Sequence, residues 1–126
     1  MKTVRTPLGS VRGLGSAKSG SHHWWLQRVS SVALIPLSIW LIYSVLNIAL
    51  GDKAAVTLWL DSPMHALFLA LFVGVSCYHG KLGMEVIVED YVHCHCAKTT
   101  LLIANLFGFI VLAAMGIMAI FQLHMM

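Results

Sequence analysis

Two stretches without a single charged residue, 29–50 and 99–122, flank a third apolar stretch at residues 64–88. At ~1.5 Å rise per helical residue, each is long enough to cross a ~30 Å hydrocarbon core. Hydrocarbon offers no hydrogen bonds, so a crossing segment must satisfy its own backbone, and an α-helix does so with local bonds alone. The expected fold is an all-α membrane protein with three transmembrane helices. Composition agrees: the chain is 59% hydrophobic and 10% charged, whereas soluble domains are about a quarter charged. Too few polar groups remain to cover a water-facing surface. The 126 residues hold one such bundle, which excludes a sizeable soluble catalytic domain beside it.

Charge distribution orients the spans. Lys2, Arg5, Arg12, Lys18 and Arg28 all precede the first span, and no acid occurs before Asp52. A basic arm can bind nucleic acid, but next to a span it sets orientation, so no nucleic-acid partner is expected. Residues 1–28 read as a basic, interfacial arm and residues 29–126 as the three-helix transmembrane domain. The first twenty residues lack an apolar period and are expected to be mobile or bound to a partner. The segment S-H-H-W-W-L-Q-R, residues 21–28, has the Trp and Arg of a headgroup-level anchor. No A-x-A-like cleavage site follows a short apolar core, so the first span is expected to be retained. The N-terminus and the loop of residues 91–98 are expected on the cytoplasmic side. The C-terminus and the loop of residues 51–63 are expected on the periplasmic side, the latter carrying more acid than base. This gives a multi-pass protein of the bacterial inner (cytoplasmic) membrane.

Local signals place the ends. Pro36 lies inside the first span, where a kink is expected. Gly51-Asp52-Lys53 should end that helix, and Ser62-Pro63 should restart one with Asp61 or Ser62 as N-cap. Gly108 and Gly116 permit close helix approach in the third span. The three cysteines form an odd set: Cys77 in a span, Cys94 and Cys96 in a cytoplasmic loop. No disulfide framework is expected.

The second span is the anomaly. It carries His79, Lys81 and Glu85, with Glu89, Asp90 and Tyr91 at its exit. A charge at mid-bilayer costs roughly 2.5 to 3.5 kcal/mol on insertion scales. Lys81 and Glu85 are four residues apart and can pair. At ~100° per residue, His79 shares a stripe with Gly83, Val86 and Asp90, and Lys81 lies on nearly the opposite face. Gly80 and Gly83 leave room beside the imidazole for a flat, bulky group. A haem is one, and neutral imidazole is a standard ligand for its iron. A hydrogen-bonded packing histidine with glycines that serve helix contact is the other reading. His65 and His124 lie near the far ends of the second and third spans.

The pattern H-x-x-x-G-M-x-x-x-x-x-D-Y, here His79 to Tyr91, resembles the signature of the hydrophobic membrane anchor subunit of succinate dehydrogenase, the D-type anchor of respiratory complex II. The segment S-G-S-H-H-W-W-L-Q-R, residues 19–28, is similar to the N-terminal segment of bacterial members. The likeness spans about residues 16–98, and the three-span layout extends it. It implies an anchor that, with a C-type cytochrome b anchor subunit, holds an iron–sulfur subunit and a flavoprotein subunit on the cytoplasmic face. It implies a haem b between the two anchors, with His79 as one axial ligand and Gly80 and Gly83 packed beside it. It implies ubiquinone reduction at the inner surface, with Tyr91 hydrogen-bonded to a quinone carbonyl and Asp90 beside it. Arg28 is expected near the quinone, a haem propionate or lipid phosphate. Lys81 has no place in the family pattern and reads as the partner of Glu85, with a propionate contact as the other option.

Three further features invite interpretation. His93-Cys94-His95-Cys96 is a poor chelate for zinc, which uses C-x2-C or wider spacing, so a solvated loop facing the iron–sulfur subunit is expected. His22-His23-Trp24-Trp25 reads equally as a quinone or partner contact and as an aromatic belt. The chain has no flavin motif or iron–sulfur cysteine pattern, so catalysis by the chain alone is not expected. Two other functions fit the same spans: a small transporter subunit with a proton relay through Lys81, Glu85 and His79, and a purely structural anchor. A fumarate reductase anchor is a close variant.

Overall fold

The computed structural model describes residues 6–12, 20–48 and 53–125. They form five helices: α1 (Pro7–Arg12), α2 (Gly20–Ile48), α3 (Lys53–Asp61), α4 (Pro63–Tyr91) and α5 (His95–Met125). Of these, α2, α4 and α5 are long and apolar enough to span a membrane, with 29, 29 and 31 residues. The three expected spans are therefore present. Lys2, Arg5 and Lys18 of the basic arm, and the helix stop at Gly51-Asp52, lie outside the described residues.

The helices run further than the apolar stretches. No proline or loop-forming run interrupts residues 20–28, so the interfacial segment is the first two turns of α2. The helix continues across Pro36. At the other end of the span the expected connecting loop contains a helix, α3. Its sequence K-A-A-V-T-L-W-L-D buries Leu60 and exposes Leu58 and Thr57. α4 starts where its sequence predicts: Ser62 is the N-cap with extended backbone and Pro63 opens the first turn, but the Ser62 side chain makes no capping hydrogen bond. The Ser62 carbonyl accepts the backbone N–H of His65 and Ala66 at 3.0 and 3.2 Å.

α4 is the axis of the fold. It packs against α2 on one side and α5 on the other, while α2 and α5 make no contact with each other among the described residues. The result is an open row rather than a closed bundle. Among the described residues only Leu60, Leu82, Val88 and Ile120 are buried hydrophobics, joined by Ser30 and Ser44. In lipid this is tolerable, because acyl chains are as apolar as leucine and helix association depends on close packing and hydrogen bonds.

Glycines set the α4–α5 approach. A Cβ on Gly116 would sit 2.8 Å from Val73 Cγ1, and a Cβ on Gly80 would sit 2.9 Å from the Phe109 ring. Gly74 and Gly108 face open space within the chain. Thus Gly116 makes the close approach that its sequence permits, and Gly108 does not make one here.

α3 is held by aromatics and two histidines. Trp40 of α2 stacks on Trp59 at 5.7 Å between centroids, and Trp59 stacks on His65 at 4.7 Å. His65 Nδ1–H donates to the Trp59 carbonyl at 2.8 Å, and His124 Nδ1–H donates to the Leu60 carbonyl at 2.7 Å. Both histidines at this end are thus engaged by backbone.

Gly116→Ala and Gly80→Ala are expected to lower the stability of the chain in detergent by about 1–3 kcal/mol, the usual penalty for overpacking. Gly74→Ala and Gly108→Ala should be neutral or mildly stabilising, since alanine is the better helix former by about 1 kcal/mol. Denaturant titrations followed by circular dichroism compare the four.

Candidate functional site

Antiparallel packing of α2 and α4 brings two polar rows together. On α2, His23, Gln27 and Ser30 recur at helical spacing and share one face. Opposite them on α4 stand His79, Gly83 and Glu85. Within apolar helices such a row must find partners or lose several kcal/mol per group.

His79 is half-buried and sits between Gln27 and Ser30. Its Nδ1 lies 2.9 Å from Ser30 Oγ, and its Nε2 lies 3.4 Å from Gln27 Nε2. Ser30 is 6% exposed and its hydroxyl donates to the Gln27 carbonyl at 3.0 Å. Gly83 faces the same place: a Cβ there would rest 3.5 Å from Gln27 Nε2, an ordinary contact. The side-chain oxygen Oε1 of Gln27 is buried and has no hydrogen-bond partner.

Lys81 and Glu85 pair as their spacing predicts, at 2.5 Å. Glu85 also accepts a bond from His23 Nε2–H at 3.3 Å, which ties α2 to α4 a second time. Asn105 of α5 donates to the Lys81 carbonyl at 3.0 Å. Both neighbouring helices therefore support the segment that carries the ion pair. Gly80, expected beside His79, points to α5 and Phe109.

The exit of α4 is exposed. Asp90 lies on the surface and Tyr91 is 78% exposed. Twelve residues separate Tyr91 from His79, a helical rise of ~18 Å. The α4 terminus is capped from α5: Lys98 Nζ donates to the Glu89 carbonyl at 3.0 Å, a favourable cation at a helix C-terminus. Arg28 lies over the Trp24 ring at 4.9 Å and borders a groove with Trp25, Val29 and Val32. The loop expected over residues 91–98 is only residues 92–94: His93 and Cys94 lie in it, whereas His95 and Cys96 open α5, with both cysteines exposed. Among the described residues no group of three or more His, Cys, Asp or Glu side chains is placed to hold a metal ion.

The parts that sequence reasoning missed are Gln27, Ser30 and the His23–Glu85 contact. Their signal was the spacing of 23, 27 and 30 in an otherwise apolar helix. The H-H-W-W motif obscured it by inviting an interfacial reading of the whole segment.

Comparison with known proteins bears on what this arrangement serves. A family model described as the succinate dehydrogenase/fumarate reductase transmembrane subunit matches residues 2–122. A succinate dehydrogenase hydrophobic membrane anchor subunit from Rickettsia bellii is 39% identical over 118 residues, covering 93% of this chain and 94% of that one. The subunit of the same description from Rickettsia felis is 44% identical over 97 residues, covering 76% and 81%. The one from Paracoccus denitrificans is 34% identical over 110 residues, covering 86% and 84%. No solved structure matches the chain.

Glu85→Gln should destabilise the α2–α4 pairing by roughly 1–3 kcal/mol, the range for orphaning a polar partner. The full penalty for a deeply buried charge is larger, but the Lys81 and Glu85 side chains retain 21% and 17% of their exposure. Replacing both by methionine should recover most of the loss. Equilibrium unfolding of the wild-type chain, single variant and double variant in detergent measures this.

Proposed function

The chain belongs to the succinate dehydrogenase/fumarate reductase transmembrane subunit family, as a hydrophobic membrane anchor subunit of succinate dehydrogenase, and from that premise we propose that His79 would hold the iron of a haem b and that the chain forms part of a ubiquinone-reduction site. The observation that carries the reading is the surroundings of His79. A half-buried imidazole stands within the membrane-spanning row, and an adjacent amide side chain buries an unpartnered oxygen.

These residues fit a haem. His79 offers a nitrogen lone pair, Ser30 holds the other ring nitrogen, and Gly83 places no side chain against the adjoining Gln27 amide. His79 would hold the iron, with the second ligand from the C-type cytochrome b anchor subunit. Haem b, when bound, supplies one-electron redox chemistry within the membrane. Gly80 contributes by bringing Phe109 and α5 against the helix that carries His79.

Asp90 and Tyr91 form the quinone-facing end of the chain. The Tyr91 hydroxyl donates a hydrogen bond to a quinone carbonyl and polarises it. Asp90 orients that hydroxyl or passes a proton to the reduced oxygen. In the net reaction ubiquinone gains two electrons and two protons and becomes ubiquinol, with electrons arriving from the iron–sulfur subunit after succinate oxidation on the flavoprotein subunit. The exposure of Tyr91 supports a surface that a partner and a quinone complete. Arg28, beside Trp24 on α2, serves the same end of the bundle as a contact for quinone, propionate or lipid phosphate.

The basic arm favours a cytoplasmic N-terminus and periplasmic C-terminus in the bacterial inner membrane. The relay reading has less support: His79 is bonded to Gln27 and Ser30, not to the Lys81–Glu85 pair.

Reduced-minus-oxidised spectra of membranes containing the complex test the reading. His79→Leu should abolish or strongly alter a b-type signal that the wild type shows. A wild-type complex without such a signal would remove the haem assignment. Tyr91→Phe should leave the signal intact and slow ubiquinone reduction by roughly 10- to 1000-fold, the scale for loss of a polarising hydrogen bond and general acid. Steady-state assays across quinone concentrations measure it, and unchanged kinetics would take Tyr91 out of the site.

A further inference from the structure

The three bonds around His79 form a directed chain. A serine hydroxyl has one proton. Ser30 Oγ–H gives it to the Gln27 carbonyl at 3.0 Å. Towards His79, 2.9 Å away, Ser30 can then act only as an acceptor, so the proton between them belongs to Nδ1. The neutral ring has one N–H, which leaves Nε2 as a bare lone pair. Gln27 Nε2–H faces that lone pair at 3.4 Å as a donor.

We propose that Ser30 is a positioning residue that holds His79 in the Nδ1–H tautomer and so presents Nε2 as the ligating atom, while the Gln27 amide occupies that lone pair until a metal takes it. The tautomer assignment stands on the hydrogen bonds alone, and its consequence for haem rests on the ligand reading of His79. A hydrogen bond from Nδ1–H to a fixed oxygen orients a ligating imidazole and makes it a stronger donor. Ser30 is suited to this role because it is buried, lies on a different helix from the ligand, and is itself fixed by the Gln27 backbone. The Gln27 side chain makes only a long bond, so little is lost when it yields its place.

Two measurements separate this proposal from the haem reading. The first is ¹⁵N NMR of the full chain in lipid nanodiscs without haem, at a pH where His79 is neutral. His79 should show protonated Nδ1 and unprotonated Nε2. Ser30→Ala should convert this to a mixture of tautomers, and Ser30→Thr should restore the wild-type pattern. A wild-type ring protonated at Nε2, or a pattern unchanged in Ser30→Ala, overturns the proposal whatever the haem result.

The second is haem retention and midpoint potential in the complex purified with its partner subunits. Ser30→Ala should weaken the hold on haem roughly 10- to 100-fold, the range for loss of such a supporting partner. It should also raise the midpoint potential, since a weaker donor favours ferrous iron, by about 59 mV for each tenfold of affinity lost selectively from the ferric form. Ser30→Thr should return both values towards wild type. Gln27→Leu should leave the potential closer to wild type than Ser30→Ala does. Wild-type retention and potential in Ser30→Ala would overturn the positioning role. If the complex has no haem dependent on His79, the ligand reading fails, and the NMR result still decides whether Ser30 sets the tautomer.

Discussion

The polar side chains of α4 can sit at membrane depth because α2 faces them with hydrogen-bonding partners. Ser30 and Gln27 engage His79, and His23 engages Glu85. Without that second row, an imidazole and an ion pair would face acyl chains that offer nothing in return. The contact also defines the packing. Two transmembrane helices lack a hydrophobic drive to associate in lipid, so polar contacts fix both the face and the register of the α2–α4 pair.

The other side of α4 obeys a different rule. There, Gly80 and Gly116 bring α5 close, with Phe109 and Val73 in the space that a side chain would occupy. α4 thus meets α2 through hydrogen-bonding side chains and meets α5 through one glycine on each helix. Asn105 bonds the Lys81 carbonyl and adds a polar tie from α5 to the membrane-spanning part of α4. At the far end, α3 and the Trp40–Trp59–His65 stack hold the connection between the first two spans. That end is aromatic and closed, whereas the end with Asp90 and Tyr91 is open.

An open row of three helices with few buried residues suits a subunit completed by others. The chain exposes most of its large apolar side chains, and the family to which it belongs consists of transmembrane subunits of larger enzymes. In the proposed role the same openness is functional: a haem between two anchors needs an accessible flank of His79, and a quinone site at a subunit boundary needs an exposed Tyr91. His79 and Tyr91 lie on a single helix, so their separation is set by helix rise and does not depend on how the partners dock.

The sequence by itself determined what depends on local chain properties. The number of spans follows from the length of the apolar runs, the Lys81–Glu85 pair from its four-residue spacing, and the start of α4 from Ser62-Pro63. The His79-to-Tyr91 motif identified the family without any tertiary information. Tertiary structure alone decided which faces meet. In a membrane helix the outward face is as apolar as the inward one, so hydrophobic periodicity carries little information about rotation around the axis. For that reason Gly80 could be read as lying beside His79 when packing turns it to Phe109. For the same reason nothing in the sequence pairs Gln27 and Ser30 with His79, and only the packing of α2 on α4 does so. The helix α3 escaped because the charged run at Gly51-Asp52-Lys53 reads as the start of a short loop, although its nine residues carry a clear amphipathic pattern that packs against α2, α4 and α5.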